Sequence, residues 1–151
     1  MSEATQLREQ EEFREYCRRW LEENRPEPPS TTLPQAAYEV TYEDHRNYLV
    51  DWQAKCYEAG LIATDVAREY GGHGHRNFQA IASAEVRRAN VPYFLNWIGL
   101  GMTAPTLLVH GTEEQKKRFL PPIFTAAEIW CQGFSEPGAG SDLASVSCRA
   151  E

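Results

Sequence analysis

The stretch CQGFSEPGAGSDLAS, residues 131–145, places Pro137, Gly138, Gly140 and the pair Ser141–Asp142 directly behind a short β-type run. Gly138 and Gly140 carry no Cβ, so the backbone can come close to a bound group there. Amides at such a turn, together with the Ser141 hydroxyl, can donate to phosphate oxygens. The spacing is neither G-x-G-x-x-G nor the lysine-bearing phosphate loop, so neither of those nucleotide folds is indicated. On local grounds alone a Pro-Gly-Ala-Gly stretch is also a simple turn.

The residues on either side show what the stretch belongs to. IWCQGFS, 129–135, is short, carries β-branched and aromatic residues at intervals, and ends in turn residues, which predicts a strand. SVSCRA, 145–150, can return beside it. Two strands alone are marginal in water and leave raw edges. Residues 128–151 are therefore expected to begin a β-domain, and the chain is expected to be a piece of a longer protein.

Residues 1–127 predict a helical domain. Phe13, Tyr16, Cys17, Trp20 and Leu21 fall at helical spacing in a first helix over 6–23. Four prolines in RPEPPSTTLPQ, 25–35, then forbid regular structure. A second helix should run from Thr41 as cap to Gly60 as left-handed stop, with Leu49, Trp52, Cys56 and Ala59 inward. A third follows EYGGHGHRN, capped by Asn77 and facing in with Phe78, Ile81 and Ala82. The fourth, over 95–110, is apolar nearly all round and should be central, ending at Gly111. Thr112 and Gln115 form a capping box for a fifth, stopped by Pro121 and Pro122. Trp20, Leu49, Trp52, Ile81, Leu107 and Leu108 are expected to share one core.

Composition narrows the function. Of 151 residues 42% are hydrophobic and 25% charged, an ordinary globular balance, and 15 basic against 22 acidic residues give a net charge of −7. That disfavours nucleic acid or an anionic membrane as partner. No run of about 18 apolar residues exists, so no membrane span is expected. The acidic N-terminus lacks the apolar core of a secretory signal, and a cytoplasmic location is expected. Cys17, Cys56, Cys131 and Cys148 match no C-x-x-C or disulfide framework and read as buried reduced thiols. His73 and His75 lack carboxylate or cysteine partners at ligand spacing, so a solvated loop and no metal are expected. Glu85 with Arg88 and Glu113 with Lys117 read as surface helix pairs. No Ser-His-Asp or Cys-His arrangement stands out.

Three stretches in this order and separation, YGGHG (70–74), GTEEQKKRFLPPI (111–123) and above all CQGFSEPGAGSDLAS (131–145), resemble the acyl-CoA dehydrogenases. The resemblance covers nearly the whole chain but about the first third of a typical member. It implies a mainly α chain: an N-terminal helical domain followed by the first strands of a middle β-domain, with a C-terminal four-helix bundle beyond. FAD would bind between the latter two. Backbone groups at Gln132 and Phe134 and the Ser135 hydroxyl would meet the polar edge of the isoalloxazine ring. Family members often carry threonine at the Ser135 position and an aromatic residue at that of Gln132. Gly140 and Ser141 would hold the pyrophosphate, and Ser141 would also neighbour the substrate's pantetheine. Helix four would line the acyl tunnel, with bulky Trp97 beside Gly99 and Gly101.

The implied reaction is α,β-dehydrogenation of an acyl-CoA thioester to a 2-enoyl-CoA. Its carboxylate base belongs to the family's C-terminal domain, so no catalytic residue is assigned here and the isolated chain is expected to be inactive. Implied partners are an acyl-CoA, an electron-transferring flavoprotein or similar acceptor, and further copies in a homo-oligomer. An acyl-CoA oxidase or flavin monooxygenase of the same fold, or a non-catalytic helical binding module, are the alternatives.

Overall fold

Apolar side chains at helical spacing need a partner surface, and among the described residues five α-helices supply one another with it. The computed structural model describes residues 3–149. Its helices are α1 (Glu3–Glu23), α2 (Glu43–Glu58), α3 (Gln79–Arg88), α4 (Ala104–His110, entered through a π-helical turn at Gly99–Thr103) and α5 (Glu113–Thr125). α1 lies on α3, while α5 lies on both α2 and α4. Cys17, Leu21, Trp52, Cys56, Ala82, Leu120, Ile123 and Phe124 form the centre of the core. No described helix is long and apolar enough to cross a membrane.

The caps divide into those set by neighbours in sequence and those supplied from a distance. Gly60 is left-handed (φ 79°) behind α2, and the Thr112–Gln115 box closes on α5, both as expected. α2 begins instead behind Tyr42, without a side-chain cap, with Glu43 and Asp44 complementing the helix dipole in its first turn. Asn77 does not cap α3. It is itself left-handed (φ 63°), and the distant Asp65 carboxylate accepts from the amides of Phe78 (2.9 Å) and Gln79 (3.1 Å).

Pro121 and Pro122 do not stop α5, which continues through both. The carbonyls that lose their amide partners belong to Lys117 and Arg118, which are exposed and can be met by water. Burial of Leu120, Ile123 and Phe124 on the opposite side rewards continuation.

Helix four is less central than its composition suggests. Trp97, Met102 and Val109 are exposed, and Leu107 and Leu108 are half-buried against the core, because only one side of this all-apolar segment meets α5. Trp20 is likewise half-buried; Trp52 is buried in the central cluster as expected, whereas Leu49 and Ile81 are buried outside it.

Residues 129–135 form no strand. Among the described residues the only pairing at this end is one antiparallel bridge between Glu136 and Ala139, and an extended run without a neighbouring edge has no ladder to join. The expected return run 145–150 ends at Ala150, outside the described residues. All four cysteines are free thiols. Cys17 and Cys56 are buried, which pushes the first up to about 11 and the second further, but Cys131 and Cys148 are exposed.

Glu85 departs most from its expected surface pairing. It is 2% exposed and receives Arg18 (3.0 and 3.1 Å), Arg88 (2.7 Å) and Arg14 (3.3 Å). The Arg18 bonds foremost, then those of Arg88 and Arg14, hold its carboxyl down at about 2 against the cost of burial. One carboxylate thus joins α1 to α3. Glu113 pairs with Lys116 rather than Lys117, and accepts from the Tyr70 hydroxyl at 2.6 Å.

A carboxylate whose folded pKa lies below its unfolded value stabilises above the unfolded pKa and loses that contribution as pH falls through the folded one. Glu85→Gln should destabilise by about 1–3 kcal/mol at neutral pH, the partly exposed arginines limiting the loss. The gap to wild type should narrow between about pH 4.5 and pH 2. Urea midpoints across that range check this, and a gap independent of pH would contradict it.

Candidate functional site

Two buried carboxamides fix where the segment bearing SEPGAGSD leaves the helices. Gln53 stands in the inward stripe of α2, and Asn96 precedes the π-helical turn; both are 0% exposed. The Gln53 Oε1 accepts from the Asn96 backbone amide at 3.1 Å, and its Nε2 donates to the carbonyls of Ile123 and Phe124 at 3.1 Å each. Asn96 Nδ2 donates to the carbonyls of Ile123 (3.0 Å) and Glu128 (2.9 Å), and its Oδ1 accepts from the Trp130 amide at 2.9 Å. The end of α5 and residues 128–130 are thereby tied to α2 and to the start of helix four. Gly99 makes room for this, since a Cβ there would collide with the Asn96 carboxamide.

Beyond this staple, Trp130 rests edge-on against Phe119 at 5.5 Å, and Gln132 Nε2 meets the Met102 sulfur at 3.3 Å. Phe134 and Ser135 follow into solvent, Phe134 being 63% exposed. The chain then turns tightly over Pro137–Gly138, with Glu136 and Ala139 exchanging two backbone hydrogen bonds of 2.9 Å. The Glu136 carboxylate closes the loop by accepting from Ser147 N (2.6 Å), Ser147 Oγ (2.9 Å) and Cys148 N (3.2 Å). The Ser147 amide foremost holds the Glu136 carboxyl below the usual range. Ser141 sits within this closed loop.

Gly138 and Gly140 have neither a left-handed backbone nor anything within 4 Å of where a Cβ would project. Neither backbone conformation nor intramolecular crowding therefore calls for glycine at these two positions. Both glycines are exposed, and the space beside each is open. The Ser135 and Ser141 hydroxyls are exposed and have no hydrogen-bond partner among the described residues.

A second feature lies on another face of helix four. A cavity of about 660 Å³ is walled by Ile62, Val86, Phe94, Trp97, Leu100 and Leu108, with Gly101 and Ala104 leaving width. Its walls are mostly apolar, and of the polar residues among them Gln79 bonds the Thr64 amide, the Leu61 carbonyl and the Ser83 hydroxyl, while the Tyr93 hydroxyl bonds the Pro34 carbonyl. It is therefore an apolar chamber, of a size typical for small-molecule sites. Met102, which touches Gln132, follows directly on Leu100 and Gly101 of the chamber wall.

The expected residues thus fall into one segment, Gln132, Phe134, Ser135, Gly140 and Ser141, held at its root and closed at its tip. Gln53, Asn96 and Glu136 were not anticipated as the residues that hold it. The available signal was a polar side chain in an apolar helical stripe, at Gln53 beside Trp52 and at Asn96 within LNWIGLGM. The histidine loop is exposed over residues 74–77, as expected, with His75 stacked on Phe78, while His73 is half-buried with its Nε2 2.8 Å from the Tyr57 carbonyl. Among the described residues no three His, Cys, Asp or Glu side chains gather to hold a metal.

Comparison with known proteins shows the family. Residues 8–127 match the family described as acyl-CoA dehydrogenase, N-terminal domain. The chain is 38% identical over 150 residues to acyl-CoA dehydrogenase IpdE1 of Mycobacterium tuberculosis, covering 96% of this chain and 38% of that protein. It is 40% identical over 148 residues to IpdE1 of Mycolicibacterium smegmatis, covering 95% and 36%. It therefore spans a little over a third of these relatives' length. Among solved structures, the ChsE4-ChsE5 complex from Mycobacterium tuberculosis superposes with a TM-score of 0.61 at 29% identity, covering 91% of this chain and 33% of that one. The Tcur3481-Tcur3483 steroid ACAD gives 0.57 at 30% identity, covering 99% and 36%.

Removing the staple should cost more than one ordinary hydrogen bond, since buried partners are left unmet. Asn96→Leu should lower stability by about 2–4 kcal/mol. Gln53→Leu added to it should cost more than the sum of the two single changes, because the Ile123 carbonyl keeps one carboxamide donor in each single variant and loses both in the double. Denaturant titrations of the four proteins check this, and strict additivity would show that the carboxamides act separately.

Proposed function

The chain belongs to the acyl-CoA dehydrogenase family, and from that premise we propose that it supplies the helical domain and the opening part of the flavin site of an FAD-dependent enzyme. The proposed reaction is α,β-dehydrogenation of an acyl-CoA thioester to a 2-enoyl-CoA. Residues 128–151 are read as the start of the β-domain. The observation that carries this reading is the fixed root at Asn96, from which the chain runs directly into a loop whose glycines leave the backbone open outward.

Gln132, Phe134, Ser135, Gly140 and Ser141 are the residues proposed to hold FAD. When bound, FAD supplies the acceptor for the hydride leaving the substrate's β-carbon. In this reading Ser135 would donate its hydroxyl to the ring's polar edge, and backbone groups at Gln132 and Phe134 would meet the same edge. Ser141 would donate to the pyrophosphate and would neighbour the substrate's pantetheine. Gly140 keeps the space that the phosphate oxygens need. No residue is assigned as the carboxylate base.

The apolar chamber is the proposed seat of the acyl group. Its walls exclude water from the chain, which strengthens polar interactions at the thioester end. Its volume, and the steroid in the name of one solved relative, favour a bulky apolar acyl group over a short linear one. Electrons are proposed to pass to an electron-transferring flavoprotein or similar acceptor. A solved relative is a complex of two different chains, and that arrangement is proposed here in place of a single-chain homo-oligomer.

The test is FAD dissociation from the assembled flavoprotein, followed by flavin fluorescence. Ser135→Ala removes a neutral hydroxyl bond worth ~0.5–1.5 kcal/mol and should change turnover more than occupancy. Ser141→Ala removes a bond to a charged group, nearer ~1.5–3 kcal/mol, or roughly ten- to a hundredfold in affinity. Gly140→Val should weaken binding more than either. If Gly140→Val retains FAD as tightly as wild type, the loop is only a turn and the assignment fails.

A further inference from the structure

One wall of the apolar chamber does not belong to the helical bundle. Gln35, Ala36, Ala37 and Tyr38 line it, and all four lie in the irregular connection between α1 and α2. We propose that this connection, residues 24–42, is an adjustable strap whose two clasps set the width of acyl group the chamber admits, an inference that rests on reading the chamber as the acyl site.

The strap is stiff but lightly held. Pro26, Pro28, Pro29 and Pro34 deprive it of backbone donors and fix their own φ angles, so it moves as a semi-rigid piece rather than as a soft loop. Its start is fastened by Arg25, which donates to the carbonyls of Ala89 (3.2 Å) and Asn90 (2.6 Å). Past that point two side-chain hydrogen-bond contacts tie it to the bundle, and at its far end the Tyr42 ring meets His45 edge-on at 5.6 Å. Thr31 Oγ1 lies 2.6 Å from His45 Nε2, and the Tyr93 hydroxyl donates to the Pro34 carbonyl at 3.0 Å. The turn Ala37–Glu39 closes on itself, with the Ala36 amide donating to the Glu39 carboxylate at 3.3 Å, and its backbone stands clear of every described helix.

Each clasp is a single polar contact. His45 is 3% exposed and its Nδ1 has no partner, so Thr31 is the one polar contact of a buried ring. The opposite walls differ in kind: Ile62, Phe94 and Leu100 are set by loops and helices fixed in the bundle. Shifting the strap is thus the change of chamber width that disturbs the fewest contacts. Ala36 and Ala37 present only methyl groups to the space, so a larger side chain there narrows it without moving a helix.

The proposal is tested with two fluorescent probes of different girth, cis-parinaric acid as a slender chain and dehydroergosterol as a rigid polycycle, titrated into the full chain. Thr31→Val with Tyr93→Phe opens both clasps and should tighten the sterol relative to the fatty acid by roughly fivefold. Ala37→Leu should shift the ratio of dissociation constants the opposite way by a similar factor, and it decides the matter alone if the clasp variant fails to fold. A ratio unchanged by a folded clasp variant or by Ala37→Leu overturns the strap while leaving the chamber intact. Failure of wild type to bind either probe overturns the acyl-site reading and the strap with it.

Discussion

The structure depends on a polar constraint placed inside an apolar core. Gln53 and Asn96 are fully buried, yet their carboxamides meet backbone groups from three separate places: the end of α5, the residues after it, and the start of helix four. Apolar packing holds helices together but tolerates sliding and repacking. A buried amide pair does not, because each displaced bond strands a desolvated donor or acceptor. The two side chains therefore convert a helix bundle into a frame with one definite exit direction for residues 128–132.

Helix four carries the consequences to both candidate sites. The π-helical turn at Gly99–Thr103 puts Leu100, Gly101 and Ala104 on the chamber and Met102 against Gln132. Gly99 lets the Asn96 carboxamide press against the helix backbone at the start of that turn. The segment proposed to touch the flavin edge and the chamber proposed to take the acyl group are thus positioned from the same few residues. For a reaction between a ring and a neighbouring carbon chain, that shared reference matters more than the rigidity of either part alone.

Much of this was legible from local pattern. Helical spacing of Phe13 to Leu21, the left-handed Gly60 and the Thr112–Gln115 box depend on neighbours within a few positions, and each stands where sequence places it. The resemblance carried by YGGHG and SEPGAGSD pointed to the family. What sequence could not supply were the long-range partners. Glu85 reads as a surface residue beside Arg88 until α1 brings Arg14 and Arg18 across from some 70 positions away. Asp65 caps α3 from 13 residues upstream, displacing the local candidate Asn77. Pro121 and Pro122 fail to break α5 because the carbonyls they orphan face water while their neighbours are buried. The strand expected over 129–135 has β-type residues but no edge beside it among the described residues, and composition alone cannot supply one.

The most direct measurement is amide hydrogen exchange at Trp130, whose N–H reaches the buried Asn96 Oδ1 at 2.9 Å. If the carboxamide pair fixes the exit of the segment, this amide opens only with the core and exchanges as slowly as those within α2 and α5, while Gly133 and Phe134, a few residues on, exchange freely. A Trp130 amide exchanging at the rate of Gly133 would contradict the account, because the segment would then leave the helices without a fixed direction.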